Sequence, residues 1–243
     1  MKMTVIGCWG AYPGESGATS GYLLQADNYN VLLDCGSAVL SKLHGYINVN
    51  DLDGVVFSHY HPDHTADTGV LQHAVIVQKA LGKRLKPFTF YGHSEDPFYR
   101  TLSLEDYTSF QGYTEGEGYS IGPFSFSFMK IPHSVPAFSM RITYRGRSLG
   151  YTGDTQWDDG LCSFFQGVDL LLCEASLYSK FKGTIPGHLT ATEAGQLADR
   201  SSAERLVLTH LPHYGDHADL ASEAAAVFHG PVDLAAEGKF WEL

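Results

Sequence analysis

Positive charge is scarce in this sequence. Its 243 residues include 16 lysines and arginines against 27 aspartates and glutamates, a formal net charge of −11 at pH 7. Tight, nonspecific binding to long nucleic acid relies on a basic surface that releases counterions from the phosphates. The composition therefore argues against a protein that binds long DNA or RNA tightly.

Long apolar runs and paired cysteines are also missing. No run of apolar residues is long enough for a transmembrane helix, so we expect no membrane partner. Cys8, Cys35, Cys162 and Cys173 form no CxxC pair and lie among apolar residues, which predicts buried free thiols in a reducing compartment. The first residues lack the apolar run and the cleavage site of a signal peptide, so we expect a cytoplasmic protein.

Neither repeats nor a Pro/Ser-rich linker divides the chain, and we expect one domain over residues 1–243. Strand patterns dominate the first third and the middle, and helical patterns punctuate both. This order predicts an α/β protein with two sheets packed face to face and helices outside, a four-layer αββα sandwich. The aromatic, Gly-rich segment 94–118 gives no clear prediction.

Two of the predicted helices rest on specific features of the sequence. A capping box formed by Thr190 and Glu193 predicts a helix over 190–201. The spacing in 65–83 predicts another helix. Its expected apolar stripe consists of Val70, Leu71, Ala74, Val77 and Leu81.

The densest chemical signal is the segment 58–64, which reads Ser-His-Tyr-His-Pro-Asp-His and follows the apolar run 54–57. An extended backbone sends alternate side chains to one face, so His59 and His61 can hold one cation together. The alternative interpretation is a His-rich surface turn that binds nothing.

Pro62 then turns the chain, and Asp63 and His64 can point at a second cation close by. Nitrogen and carboxylate ligands favour zinc, with manganese or iron as alternatives.

Three later residues share one position relative to the predicted strands. His133, Asp154 and His210 each follow the end of a strand, where side chains from different strands can converge. Taken singly, each has an ordinary structural explanation, such as a turn or a strand end. Together with the histidine segment, they supply enough ligands for two metal ions.

The combined motifs resemble the metallo-β-lactamase fold superfamily, and most of all its ribonuclease Z-like subgroup. The resemblance spans most of the chain. It rests on residues 59–64, 132–138, 153–155, 173–176, 187–190 and 209–211.

The resemblance implies a dinuclear metal site whose bridging hydroxide attacks phosphorus. It assigns His59, His61 and His133 to one ion, Asp63, His64 and His210 to the other, and Asp154 to both. The ions would be zinc first, with Mn²⁺ or Fe²⁺ as alternatives. Asp34 resembles the buried aspartate that orients the histidine segment.

The resemblance also implies a catalytic set. His188 would protonate the leaving alkoxide. Glu174 would hold or polarise His188, or would instead serve as the buried partner of a backbone group. Asp63 belongs to this set as well as to the ligands.

Two branches of the superfamily can be set aside. Their members carry cysteine in place of Asp154, or glutamate in place of His61, and this chain does not. The tRNA-processing members carry a long arm between the residues that match His133 and Asp154. Here the turn Arg145–Gly146 joins two predicted strands instead.

The preferred function is therefore a phosphodiesterase for a small phosphodiester or a short RNA or nucleotide substrate. The alternatives are a carboxyl-ester, lactone or thioester hydrolase, a tRNA-processing endoribonuclease, and a metal-stabilised binding protein without turnover. Members of the family are often dimers, so we expect a homodimer.

Overall fold

The structure is a computed structural model that describes residues 1–243. The chain forms two units, Met1–Thr114 with Ala236–Glu242, and Glu115–Ala235 with Leu243. Each unit contains one seven-stranded sheet. That the whole chain acts as one domain stays a prediction.

The sheet of the first unit has the strand order β14-β1-β2-β3-β4-β5-β6. Its strands are β1 (Lys2–Gly7), β2 (Gly21–Ala26), β3 (Tyr29–Leu33), β4 (Gly54–Val56), β5 (Phe88–His93), β6 (Thr108–Tyr113) and β14 (Phe240–Glu242). Its helices are α1 (Val39–Leu43), α2 (Pro62–Thr65) and α3 (Thr68–Ala80), with 3-10 turns at Val49–Asp51 and Pro97–Thr101.

The helix predicted over 65–83 corresponds to α3, Thr68–Ala80. Ala66 and Asp67 separate it from the short helix α2, which ends at Thr65. Leu71 and Val75 of α3 are buried in the core of the unit. Val70, Val77 and Leu81, predicted on the same stripe, are more than half exposed. At 100° per residue, Val70, Val77 and Leu81 lie to one side of the line along the helix surface that joins Leu71 and Val75. Only the residues near that line are buried.

The segment 94–118 contains a 3-10 turn at Pro97–Thr101 and the strand β6. β6 pairs in parallel with β5 at the edge of the sheet. Only Thr108 and Tyr113 of its six residues are buried, so the sequence carries little of the apolar alternation that marks a strand.

The sheet of the second unit has the strand order β13-β12-β11-β10-β9-β8-β7. Its strands are β7 (Gly116–Ile121), β8 (Phe124–Ile131), β9 (Ala137–Tyr144), β10 (Arg147–Tyr151), β11 (Leu170–Glu174), β12 (Leu206–Thr209) and β13 (Val232–Leu234). Its helices are α4 (Gly160–Phe164), α5 (Ala191–Arg200) and α6 (His217–Ala225), with a 3-10 turn at Ser179–Phe181.

The predicted capping box begins α5. The Thr190 hydroxyl accepts a hydrogen bond from the Glu193 N–H, and the Glu193 carboxylate accepts one from the Thr190 N–H. Gly195 then allows α5 to approach α6, because a Cβ there would lie 2.6 Å from the Ala224 carbonyl oxygen.

Both sheets change from antiparallel to parallel pairing in chain order. In the first unit the change comes at β3, and in the second it comes at β10. The carboxyl ends of parallel neighbours meet at one edge of a sheet, which is where open α/β sheets bind ligands. His59, Asp154 and His210 follow such ends at β4, β10 and β12, whereas His133 follows β8, which pairs only in antiparallel fashion.

All four cysteines are buried and free, as predicted. Burial raises the pKa of the Cys8 thiol to about 12. None of the helices has the length and apolar character needed to cross a membrane.

Candidate active-site residues

Asp34 holds the histidine segment of the first unit in place. It follows β3, and its Oδ1 accepts the Ser58 backbone N–H at 2.7 Å. Its Oδ2 accepts the Ser58 hydroxyl at 2.8 Å and contacts His64 Nδ1 at 2.7 Å. Asp34 and His64 have no exposed surface. These contacts match the orienting role that the resemblance implies for Asp34.

His59 and His61 bring ring nitrogens together, as the alternation along the extended segment predicts. His59 Nε2 lies 3.1 Å from His61 Nδ1. His59 Nδ1 lies 3.0 Å from the Ser58 hydroxyl oxygen. Because that hydroxyl gives its proton to Asp34, it must accept a proton from His59 Nδ1. In the neutral imidazole, His59 Nε2 is then the unprotonated nitrogen that can bind a cation.

Asp63 and His64 begin α2 behind Pro62. Asp63 Oδ2 accepts the Ala11 N–H at 2.8 Å and lies 3.7 Å from His64 Nε2. Because His64 Nδ1 donates to the Asp34 carboxylate, Nε2 is the nitrogen left without a proton in the neutral imidazole. Gly36 lets the chain pass this segment, since a Cβ there would lie 2.0 Å from the Asp63 carbonyl oxygen.

In the second unit His133 follows β8. Its Nδ1 donates to the Gly187 carbonyl at 2.8 Å, so Nε2 is again the unprotonated nitrogen. The ligand atoms of His133 and Asp154 lie within 4.8 Å of each other. Burial lowers the pKa of His133 and outweighs the nearby Asp154 carboxylate, which raises it. The lowered pKa favours the neutral imidazole, the form that binds metals.

His210 and Asp154 face each other in the same unit. His210 Nε2 lies 3.2 Å from Asp154 Oδ2. The Ser176 hydroxyl lies 2.8 Å from His210 Nδ1 and donates its proton to Glu174 Oε2 at 2.6 Å. His210 Nδ1 therefore donates to Ser176, and in the neutral imidazole Nε2 is an acceptor that faces a carboxylate. Two acceptors at this distance repel each other unless a proton or a metal ion joins them.

Glu174 and His188 form the predicted pair. His188 Nδ1 lies 3.2 Å from each carboxylate oxygen of Glu174, which is buried. Glu174 Oε1 also accepts the Thr155 backbone N–H at 2.7 Å. The two roles considered for Glu174, holding His188 and satisfying a backbone group, are thus both present as contacts. Whether Glu174 takes part in catalysis stays a prediction.

Two serines to which the sequence patterns assign no role also contact the predicted site residues. Ser58 and Ser176 each place one hydroxyl between a carboxylate and a histidine. Each stands beside a predicted site residue, Ser58 directly before His59 and Ser176 two positions after Glu174. That adjacency and their place in the segments 58–64 and 173–176 are the signals that the sequence offers.

Comparison with known proteins places the chain in a family. Residues 29–211 match the model of the β-lactamase superfamily domain. A protein of Bacillus subtilis (strain 168), named a probable metallo-hydrolase YhfI, is 44% identical over 243 residues, which is the full length of both chains. The chain belongs to the β-lactamase superfamily.

Solved structures agree with this assignment. The crystal structure of the metallo-β-lactamase fold protein YhfI from Bacillus subtilis matches with a TM-score of 0.97 and 42% identity, covering 100% of this chain and 99% of YhfI. The short form of human tRNase Z matches with a TM-score of 0.79 and 22% identity, covering 100% and 99%. The predicted fold class and the predicted resemblance, including its ribonuclease Z-like neighbours, are confirmed.

Proposed function

We propose that the protein is a metal-dependent phosphodiesterase that hydrolyses small phosphodiesters. Two divalent ions, zinc first, would be held by the seven ligands that the family resemblance assigns. These proposed ligands are His59, His61, Asp63, His64, His133, Asp154 and His210.

The observation that carries the proposal is the shared proton arrangement of four histidines. His59, His64, His133 and His210 each donate Nδ1–H to an oxygen of the protein. A metal-ligating histidine is held in this way, with its second nitrogen fixed by a carboxylate, a carbonyl or a hydroxyl. In the neutral imidazoles the four Nε2 atoms are free of protons, and together with two carboxylates they form a donor set that suits zinc.

The pair of His210 and Asp154 strengthens this interpretation. Its two facing acceptors need the positive charge of a proton or a metal ion between them. A metal ion would provide that charge and leave the imidazole neutral, in keeping with the lowered pKa of the nearby His133. When bound, divalent ions supply Lewis-acid activation of water and neutralise charge on the phosphoryl group.

The leaving group needs a proton, and His188 is the proposed donor. Its Nδ1 is held by Glu174, so Nε2 would be the nitrogen that gives its proton to the departing alkoxide. The Glu174 carboxylate contacts His188 Nδ1 and fixes the ring, and it is itself held by the Thr155 N–H and the Ser176 hydroxyl.

The size of the substrate is inferred from the region between His133 and Asp154. There β9 ends at Tyr144 and β10 begins at Arg147, so a two-residue turn stands where a tRNA-gripping arm would emerge. With a net charge of −11, the chain has little capacity for the many phosphate contacts that a folded tRNA requires. A small phosphodiester fits these features better.

A substrate panel tests the proposal. Protein reconstituted with zinc or manganese should hydrolyse bis-p-nitrophenyl phosphate, and it should cut precursor tRNA poorly or not at all. Exclusive turnover of a lactone or a thioester would replace the proposal with the carboxyl-ester alternative. Loss of turnover in His188→Ala but not in His229→Ala, a change at an exposed histidine of the same unit, would tie the activity to the proposed residues.

A further inference from the structure

Three aromatic rings form a cluster in the second unit. The Tyr178 and Tyr214 ring centroids lie 5.7 Å apart, and the Phe181 ring stands edge-on to Tyr214 at 5.7 Å and 86°. Tyr178 is buried, whereas Tyr214 is 44% exposed. The aromatic cluster, Tyr178, Phe181 and Tyr214, therefore contains one exposed ring, that of Tyr214, which packs against the other two.

The cluster is connected to the proposed proton donor. The Tyr214 hydroxyl donates to the Ser176 carbonyl at 3.4 Å. The hydroxyl of the same serine lies 3.3 Å from His188 Nδ1 and 2.8 Å from His210 Nδ1. Ser176 therefore links the exposed Tyr214 ring to two histidines of the proposed site, His188 and His210.

The backbone fixes Tyr214 in this position. The Tyr178 hydroxyl donates to the Tyr214 carbonyl at 3.0 Å. Gly215 has φ = 78°, and a Cβ there would lie 2.3 Å from the Tyr178 hydroxyl oxygen, so only glycine allows the close approach. Burial raises the pKa of both tyrosines, and they stay neutral at physiological pH.

Positive charge accompanies the rings. Lys180 Nζ lies 5.1 Å from the centroid of Phe181 and 5.7 Å from that of Tyr178. The cluster thus combines the exposed ring of Tyr214 with a lysine that lies over its two other rings. Proteins use an exposed ring and a nearby positive charge to bind a base and its backbone phosphate.

We propose that Tyr214, braced by Phe181, is a stacking subsite for the base of a nucleoside phosphodiester. This inference rests on the proposed function and narrows its substrate class from phosphodiesters in general to nucleotides. A single exposed ring offers a π-face to any base, so the subsite selects for the presence of a base rather than for its identity.

Binding of two probes that differ only by the base tests the subsite. Calorimetry on the metal-loaded protein would compare adenosine 5′-monophosphate with ribose 5-phosphate. We expect the wild type to bind the nucleotide more tightly. Tyr214→Leu should weaken nucleotide binding roughly 5- to 150-fold, the range for loss of one stacked base, and leave ribose 5-phosphate unchanged.

Tyr214→Phe is the matched variant. It keeps the ring and loses only the hydrogen bond to Ser176, so we expect nucleotide binding to stay within about twofold of the wild type. Phe240→Leu removes an exposed ring from the edge strand β14 and serves as a control for general loss of surface aromatics. Thermal unfolding should show that all variants remain folded.

The outcomes separate this inference from the proposed function. Equal affinities of the two probes for the wild type, or equal weakening of both by Tyr214→Leu, would overturn the stacking subsite even if phosphodiester hydrolysis is observed. Base-dependent binding that is lost in Tyr214→Leu would support the subsite even if no phosphodiester is hydrolysed, in which case the proposed function alone fails. With a nucleotide substrate that turns over, Tyr214→Leu should raise KM more than it lowers kcat.

Discussion

Replacing Asp34 by asparagine should switch the proton positions of two histidines. The backbone N–H of Ser58 can only donate, so the asparagine oxygen must take the place of Oδ1. Its NH₂ group then occupies the place of Oδ2 and faces the Ser58 hydroxyl and His64 Nδ1. His64 must accept at Nδ1 and carry its proton on Nε2. Ser58 now accepts from the amide and gives its own proton to His59 Nδ1, so His59 switches as well.

The magnitude follows from the contacts that change. Asp34 has φ = 58°, a conformation that asparagine also tolerates, so the backbone should not move. Losing a charge-assisted hydrogen bond to His64 in a fully buried setting should lower the free energy of unfolding by about 1–3 kcal/mol. Protonating Nε2 of two proposed ligands opposes metal binding, and loss of such a supporting contact weakens metal affinity roughly 10- to 100-fold.

The assay combines chelator competition for zinc with histidine ¹⁵N spectra of the metal-free protein. In the wild type His59 and His64 should carry their protons on Nδ1, and in Asp34→Asn on Nε2. Asp53→Asn is a suitable control, because Asp53 also accepts a backbone N–H, that of Asn30, but belongs to no predicted ligand network. Unchanged proton positions together with unchanged zinc affinity in Asp34→Asn would refute the reasoning.

Two further predictions concern the second unit. His188→Ala should keep its metal and its fold but lose roughly 10²- to 10⁴-fold in turnover, the scale for one general acid; a metal-depleted variant would show that His188 is a ligand. Burial raises the pKa of Asp169, but hydrogen bonds from Arg147 and Ser148 outweigh it and hold the pKa below the ordinary value of 3.8. That stabilisation is present above pH 3.8 and disappears as the pH falls through the lowered pKa. Asp169→Asn should therefore lose about 1 kcal/mol near neutral pH, and the difference from the wild type should shrink below pH 4, as urea unfolding would measure. A difference that does not depend on pH would contradict this assignment.

The strand ends on which the ligand prediction rests could be predicted because they depend on local pattern. Each of His133, Asp154 and His210 follows a strand that does end just before it, at Ile131, Tyr151 and Thr209. The proton arrangement of the histidines could not be predicted in this way. It depends on hydroxyls such as that of Ser176, which contacts His210 from 34 residues away in the chain.

Pairing between distant parts of the chain explains why the strand β14 was not predicted. β14 pairs with β1 from the opposite end of the chain, and its three residues include the exposed Phe240, so it shows no apolar alternation. The aromatic cluster was overlooked for a similar reason. Tyr214 meets Tyr178 across 36 residues, and nothing in the sequence near either residue indicates the other.

Metal stoichiometry tests the central claim most directly. After reconstitution with zinc and removal of loosely bound ions, elemental analysis should find about two metals per chain, as in two-metal hydrolytic sites. Well under one metal per chain would contradict the account, because the four oriented histidines would then have no cation to bind.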